Sequence, residues 1–285
     1  MVKPHNKIKK TMNWKKKDKL NTVKYLLKIA IAVFLVQGCS SVPITGRRQL
    51  MLISDQQVIT LSLQQYQDYI NTANIITGTP EAQKVEKVGM KIANAVETFL
   101  KNSGASSEIQ NYAWDFKLVE DKSINAFAMP GGKVVVYSGL LPVAQDEASL
   151  AVVIGHEIGH VVAKHAHERI SQQLALQFGG SVAADLLKGA AANKIGQTVF
   201  GLGAQMGVML PYARKQEYEA DELGLIFMAM AGYDPRVAIP FWTRMAQSSQ
   251  GGKIPEFLST HPTDAKRIAN MEKILPKALQ YYSPS

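Results

Sequence analysis

A single cysteine, Cys39, occurs among 285 residues, so no disulfide within the chain can brace the fold. An excess of one charge is also missing from most of the chain. The formal net charge is +9, yet ten of the 32 basic residues and one of the 23 acids fall within residues 1–38, which leaves 22 of each elsewhere. That neutral body lacks the basic face by which a nucleic-acid binder neutralises phosphates, so nucleic acid is not expected as a partner. Long hydrophobic runs are absent from the N-terminal segment, where IAIAVFLV, Ile29 to Val36, is too short to span a bilayer. Residues 195–213 carry no charge, but glycines, glutamines and Pro211 interrupt them. They read as a buried or cleft-covering segment and not as a membrane span. No internal repeat of solenoid period is present. With 46% hydrophobic and 19% charged residues, the composition excludes a disordered chain.

The N-terminal lysines precede the apolar run, and the run ends in VQGC, Val36 to Cys39. This order of basic, apolar and small residues reads as an export signal, residues 1–38, and VQGC resembles a bacterial lipobox with Cys39 as the lipidated residue. Ten lysines and no arginine argue against a mitochondrial leader. Ser40 after the cysteine leads to the expectation of a lipoprotein of the outer membrane facing the periplasm of a Gram-negative bacterium, held to the membrane by its N-terminal lipid. Residues 39–54, with Pro43 and Gly46, are expected to form an extended, lipidated tether, and residues 55–285 a single catalytic domain.

Within that domain, Ser54 with Gln57 and Thr79 with Pro80 mark helix starts. Trp114, Phe116 and Leu118 alternate as a half-buried strand, and a Pro-Gly-Gly turn at residues 130–132 leads into a second strand from Lys133 to Tyr137. The pattern predicts an α+β fold that is mostly helical, with a small sheet and no βαβ rhythm.

Four of the six histidines, His156, His160, His165 and His167, lie in AVVIGHEIGHVVAKHAHERI, residues 151–170. Four residues apart on a helix, His156 and His160 share a face and can bind one metal ion, while Glu157 is turned about 100° away, within reach of a water on that ion. Apolar neighbours such as Val153, Ile154, Ile158 and Val161 make this a buried helix, where two uncompensated imidazoles and a carboxylate would be costly. Two neutral imidazoles suit one Zn2+ per chain, and a catalytic zinc needs a third protein ligand. His165 and His167 miss the register of a longer histidine motif by one residue and are expected at exposed or supporting positions. Between Glu168 and Glu217 the only acid is Asp185, which points to RKQEYEADELG, residues 214–224, for the missing ligand. There Glu217 and Asp221 share a helix face, so that one carboxylate can bind the metal while the other orients a histidine.

HEIGH, ARKQEYEAD and FLSTHPTDAKRI, together with VPITGRRQL and NAFAMPGGKVVVYSGLL, resemble the HtpX and CAAX prenyl protease family of zinc metalloendopeptidases, in its peripheral bacterial lipoprotein branch. The resemblance implies a zincin-like domain with a small sheet beside the histidine helix. It also implies zinc on His156, His160 and Glu217, Glu157 as catalytic base, and Asp221 as a second acid that donates a proton or supports a ligand. The activity implied is hydrolysis of peptide bonds in misfolded or unassembled envelope proteins. The competing expectation is a non-enzymatic, chaperone-like assembly lipoprotein with a structural zinc. Val134, Val135 and Val136 are expected to offer a strand edge to an extended substrate. His261 is expected either to steady the oxyanion or to fill the metal's open position at rest, the alternative being a plain loop residue.

Overall fold

The computed structural model describes residues 39–42, 45–178, 211–248, 255–262 and 265–283. The expected export signal of residues 1–38, Asp185 and the uncharged run before Pro211 lie outside the described residues. No helix among the described residues is long and apolar enough to cross a membrane.

Residues of the expected tether form a hairpin, with β1 (Cys39–Ser41) antiparallel to β2 (Arg48–Leu50). Two capped helices follow. Helix α1 (Asp55–Ile70) starts with a capping box between Ser54 and Gln57, and α2 (Pro80–Asn102) starts where the Thr79 hydroxyl accepts the Ala82 N–H at 3.2 Å. Val85, Val88, Ile92 and Val96 repeat at helical spacing and give α2 its buried face.

That face covers a four-stranded sheet of order β3–β4–β6–β5, formed by β3 (Ile75–Ile76), β4 (Asp115–Val119), β5 (Ala126–Met129) and β6 (Lys133–Tyr137). The strands β5 and β6 make a hairpin across Gly131 and Gly132, both at positive φ (91° and 82°). Because β6 folds back beside β4, those two run parallel, with Phe116 opposite Val134. β6 is therefore paired on both sides, and Val134, Val135 and Val136 are fully buried. They cannot offer an edge, which corrects the expectation placed on them. The strand order is a non-local property that the hairpin sequence alone does not reveal. The edge strand on that side of the sheet is β5.

Helix α3 (Glu147–Val162) begins at Asp146, whose carboxylate accepts the Ser149 N–H at 2.7 Å, and every residue from Ser149 to Val162 is buried. It packs against α5 (Pro211–Met230), and the contact is close because glycines face it. A Cβ on Gly159 would lie 2.7 Å from the Ala220 carbonyl oxygen, and one on Gly155 would lie 2.9 Å from that of Gly224. The short helix α7 (Glu256–Thr260) and the long α8 (Ala265–Leu279) follow α6 (Ala238–Gln247), and all three contribute to the core that holds α3 and α5 together. The result is a mostly helical α+β domain with a small mixed sheet, as expected.

Helix α4 (His165–Phe178) does not continue α3. Lys164 adopts a left-handed conformation (φ 55°) and is held by Asp55 at 2.6 Å and Glu108 at 2.7 Å. The chain turns sharply just after the two histidines of α3.

Gly159→Ala forces the α3–α5 contact apart and is expected to lower stability by about 1–3 kcal/mol. Urea unfolding of both proteins with metal chelated checks this, and an unchanged midpoint would contradict the close-approach role of Gly159.

Candidate metal centre

Helix α3 supplies His156 and His160, α5 supplies Glu217, and the residue after α7 supplies His261. All four are buried, and one ligand atom from each lies within 4.8 Å of every other. The Nε2 atoms of His156 and His160 are 3.1 Å apart, and His156 Nε2 is 3.2 Å from His261 Nδ1. Glu217 closes the group, its Oε2 lying 2.9 Å from His261 Nδ1 and 3.3 Å from His156 Nε2, and its Oε1 3.4 Å from His160 Nε2. Tetrahedral zinc with bonds of about 2.0–2.1 Å separates its ligands by about 3.3–3.4 Å, so the spacing and the donor set fit such an ion. The oxygens Glu217 Oε1 and Glu157 Oε1 are buried without a hydrogen bond, which also fits a cation at the centre.

The electrostatics agree. Burial pushes the His160 imidazole well below its usual range, which keeps it neutral and able to offer a lone pair. At Glu217 burial favours the neutral acid, but the neighbouring His261 and His160 outweigh it and hold the carboxyl well below its ordinary value. His156 differs. Burial and the Arg267 guanidinium lower its pKa, but hydrogen bonds to Asp221 and Glu217 outweigh them and raise it to about 9.

Asp221 is not among the four clustered groups but supports one of them. Its Oδ1 accepts from His156 Nδ1 at 2.9 Å, and Arg267 grips both of its oxygens at 2.8 Å. With the Nδ1 proton held there, His156 presents the Nε2 lone pair to the centre. Arg267 is itself fully buried, lies over the Trp242 ring at 4.1 Å and donates to the His261 carbonyl at 3.0 Å. The sequence reading named Asp221 and missed Arg267, whose only trace is its place in FLSTHPTDAKRI.

Glu157 lies beside the cluster with Oε1 3.4 Å from His261 Nε2, and its Oε2 accepts the Ala128 N–H at 3.1 Å. That N–H projects from the outer edge of β5, so the strand beside the centre is β5 where β6 had been expected.

His165 and His167 are both buried, so neither is exposed. On one continuous helix His160 and His165 would point about 140° apart. The turn at Lys164 instead brings His165 Nδ1 to 2.7 Å from His160 Nδ1, while His165 Nε2 sits 2.9 Å from Glu219 Oε2. His165 is thus the partner of a cluster histidine. His167 faces Asp55 at 3.3 Å, away from the centre.

Peptidase family M48 matches residues 86–275, a span that contains the four cluster residues, Glu157, Asp221 and Arg267. The mitochondrial metalloendopeptidase OMA1 of Schizosaccharomyces pombe is 38% identical over 184 residues, 64% of this chain and 53% of that protein. OMA1 of Saccharomyces cerevisiae is 36% identical over 213 residues, 72% of this chain and 59% of that protein. The putative beta-barrel assembly-enhancing protease of Vibrio cholerae is 34% identical over 183 residues, 62% of this chain and 37% of that protein. The chain thus spans little more than half the length of the two yeast relatives. Mitochondrial relatives at this identity overturn the expected outer-membrane location facing the periplasm. Basic residues ahead of an apolar run are common to several targeting signals, and the absence of arginine is too weak a feature to separate them.

Metal binding near neutral pH is expected to displace about one proton per ion, from His156, because a proton and a metal compete for the same Nε2 lone pair. Affinity then rises with pH and levels off above about 9, the value to which His156 is drawn. Calorimetry in buffers of different ionisation enthalpy measures the released proton, and a pH-independent affinity would contradict the assignment.

Proposed function

The chain belongs to peptidase family M48, and from that premise we propose that it is a zinc-dependent metalloendopeptidase in which His156, His160 and Glu217 hold the ion and Glu157 is the catalytic base. The observation that carries the reading is the convergence of those ligand atoms within 4.8 Å with the Glu157 carboxylate beside them. A zinc ion bound there supplies Lewis acidity, polarising a peptide carbonyl and lowering the pKa of water. The remaining chemistry falls to the chain. Glu157 takes a proton from the attacking water and returns it to the leaving amine nitrogen. Asp221 and Arg267 keep the His156 ring in one tautomer and orientation throughout.

In this reading the substrate lies along β5 as an added strand. The Ala128 N–H, now given to Glu157, is the donor that a substrate carbonyl takes up. That exchange releases Glu157 Oε2 as the substrate arrives, so binding and activation of the base are coupled. An extended backbone is required for such pairing, which favours unfolded or unassembled polypeptides as substrates.

His261 closes the arrangement. Its Nδ1 stands among the ligand atoms and its Nε2 faces Glu157, so it occupies the position that a substrate carbonyl or attacking water needs. We read it as a resting ligand that substrate displaces. A closed set of four protein ligands is the mark of a structural site. The catalytic reading is favoured because a structural ion has no use for a buried carboxylate beside it, whereas Glu157 has an oxygen free of hydrogen bonds at that place.

Glu157→Gln is expected to abolish cleavage of casein, by at least about a hundredfold, while one zinc per chain remains bound. Proteolysis assays paired with metal analysis check both halves. Retained turnover would remove Glu157 from the chemistry.

A further inference from the structure

The hairpin at the N-terminal end of the described residues reaches the metal centre through a chain of buried polar contacts. Arg47, just before β2, donates from Nε to Glu219 Oε2 at 2.7 Å. Its Nη1 and Nη2 grip the two oxygens of Glu168 at 2.9 and 2.8 Å. Thr45 donates its hydroxyl to the other oxygen of Glu219. Glu219 then accepts from His165 Nε2 at 2.9 Å, and His165 Nδ1 lies 2.7 Å from His160 Nδ1.

The protons in this chain can be placed by elimination. A carboxylate accepts and does not donate, so the proton on His165 sits at Nε2. Of two imidazole nitrogens in contact one donates and the other accepts, and a His165 that carries its proton at Nε2 offers the lone pair at Nδ1. The contact between the two Nδ1 atoms therefore requires the proton on His160. His160 in turn must present a bare Nε2 to the other ligand atoms, which is the form a metal needs.

Arg47 makes this possible. Glu168 and Glu219 are both buried, at 3% and 5% exposure, and Arg47 is the guanidinium that spans them. Without such a cation two buried carboxylates repel one another, and nothing holds Glu219 in place against His165. A displaced Glu219 no longer takes the His165 Nε2 proton, and the tautomer of His160 is no longer fixed.

We propose that Arg47 is a positioning residue for the metal centre, holding Glu219 and His165 so that His160 is locked in its metal-binding tautomer, and that metal affinity therefore depends on the docked N-terminal hairpin. This rests on the reading of the cluster as a metal centre.

The test uses the full chain and zinc alone, with affinity measured by competition against a chromophoric chelator and ligand geometry by the visible absorption of the cobalt-substituted protein. Arg47→Met and Glu219→Gln are each expected to weaken zinc binding about 10–100-fold and to alter the cobalt spectrum. Arg47→Lys, which keeps the charge but loses the two-carboxylate fork, falls between wild type and Arg47→Met, and it carries the test if Arg47→Met does not fold. Arg48→Met, at the exposed neighbouring position, leaves zinc affinity at the wild-type value. If Arg47→Met and Arg47→Lys lower the unfolding midpoint of the metal-free protein but bind zinc as wild type does, Arg47 only supports the fold and the proposal is overturned. A wild-type chain that binds no zinc overturns the metal-centre reading itself, a result distinct from a variant that merely matches wild type.

Discussion

Four lone-pair-bearing atoms pointed at one another in a dry interior repel unless a cation lies between them. The nitrogens of His156, His160 and His261 and the carboxylate of Glu217 are arranged in that way, and much of the fold can be understood as the means of holding them there. The close contact of α3 and α5 brings Glu217 to the histidines, and it exists because Gly155, Gly159 and Gly224 carry no side chain where the backbones meet. The burial that makes the cluster expensive when empty also strengthens the attraction for an ion when one is bound.

Each histidine of α3 has its own support at the ring nitrogen Nδ1. Asp221 and Arg267 orient His156 from α5 and α8, and His165, Glu219 and Arg47 stand behind His160. The two supports have a common logic, in which a carboxylate takes the far ring proton (through a second imidazole in the case of His160) and an arginine compensates the buried carboxylate. Glu157 is held differently. One of its oxygens is tied to the edge of β5, and the other is left facing His261.

Much of this was legible in the sequence because it is local. The caps at Ser54 and Thr79, the pairing of His156 with His160 and the shared face of Glu217 and Asp221 are all properties of short segments with helical spacing. What was not legible depends on a single backbone angle or on distant pairing. The left-handed Lys164 ends one helix and starts another, and without it His165 could not meet His160. The parallel placement of β6 against β4 puts Val134, Val135 and Val136 inside the sheet and makes β5 the strand beside the centre. Arg47 lies about 170 residues from Glu219, a separation no periodicity can bridge. The expected location failed for another reason, since charge and hydropathy alone do not distinguish one destination from another.

The central claim is that three imidazoles and one carboxylate converge on a single zinc ion at rest. X-ray absorption of the zinc-loaded chain measures this most directly. The account predicts four nitrogen and oxygen neighbours at about 2.0 Å with the outer-shell scattering of three imidazoles, falling to two in His261→Ala with the ion still bound. Two imidazoles in the wild-type chain, unchanged in the variant, would contradict it.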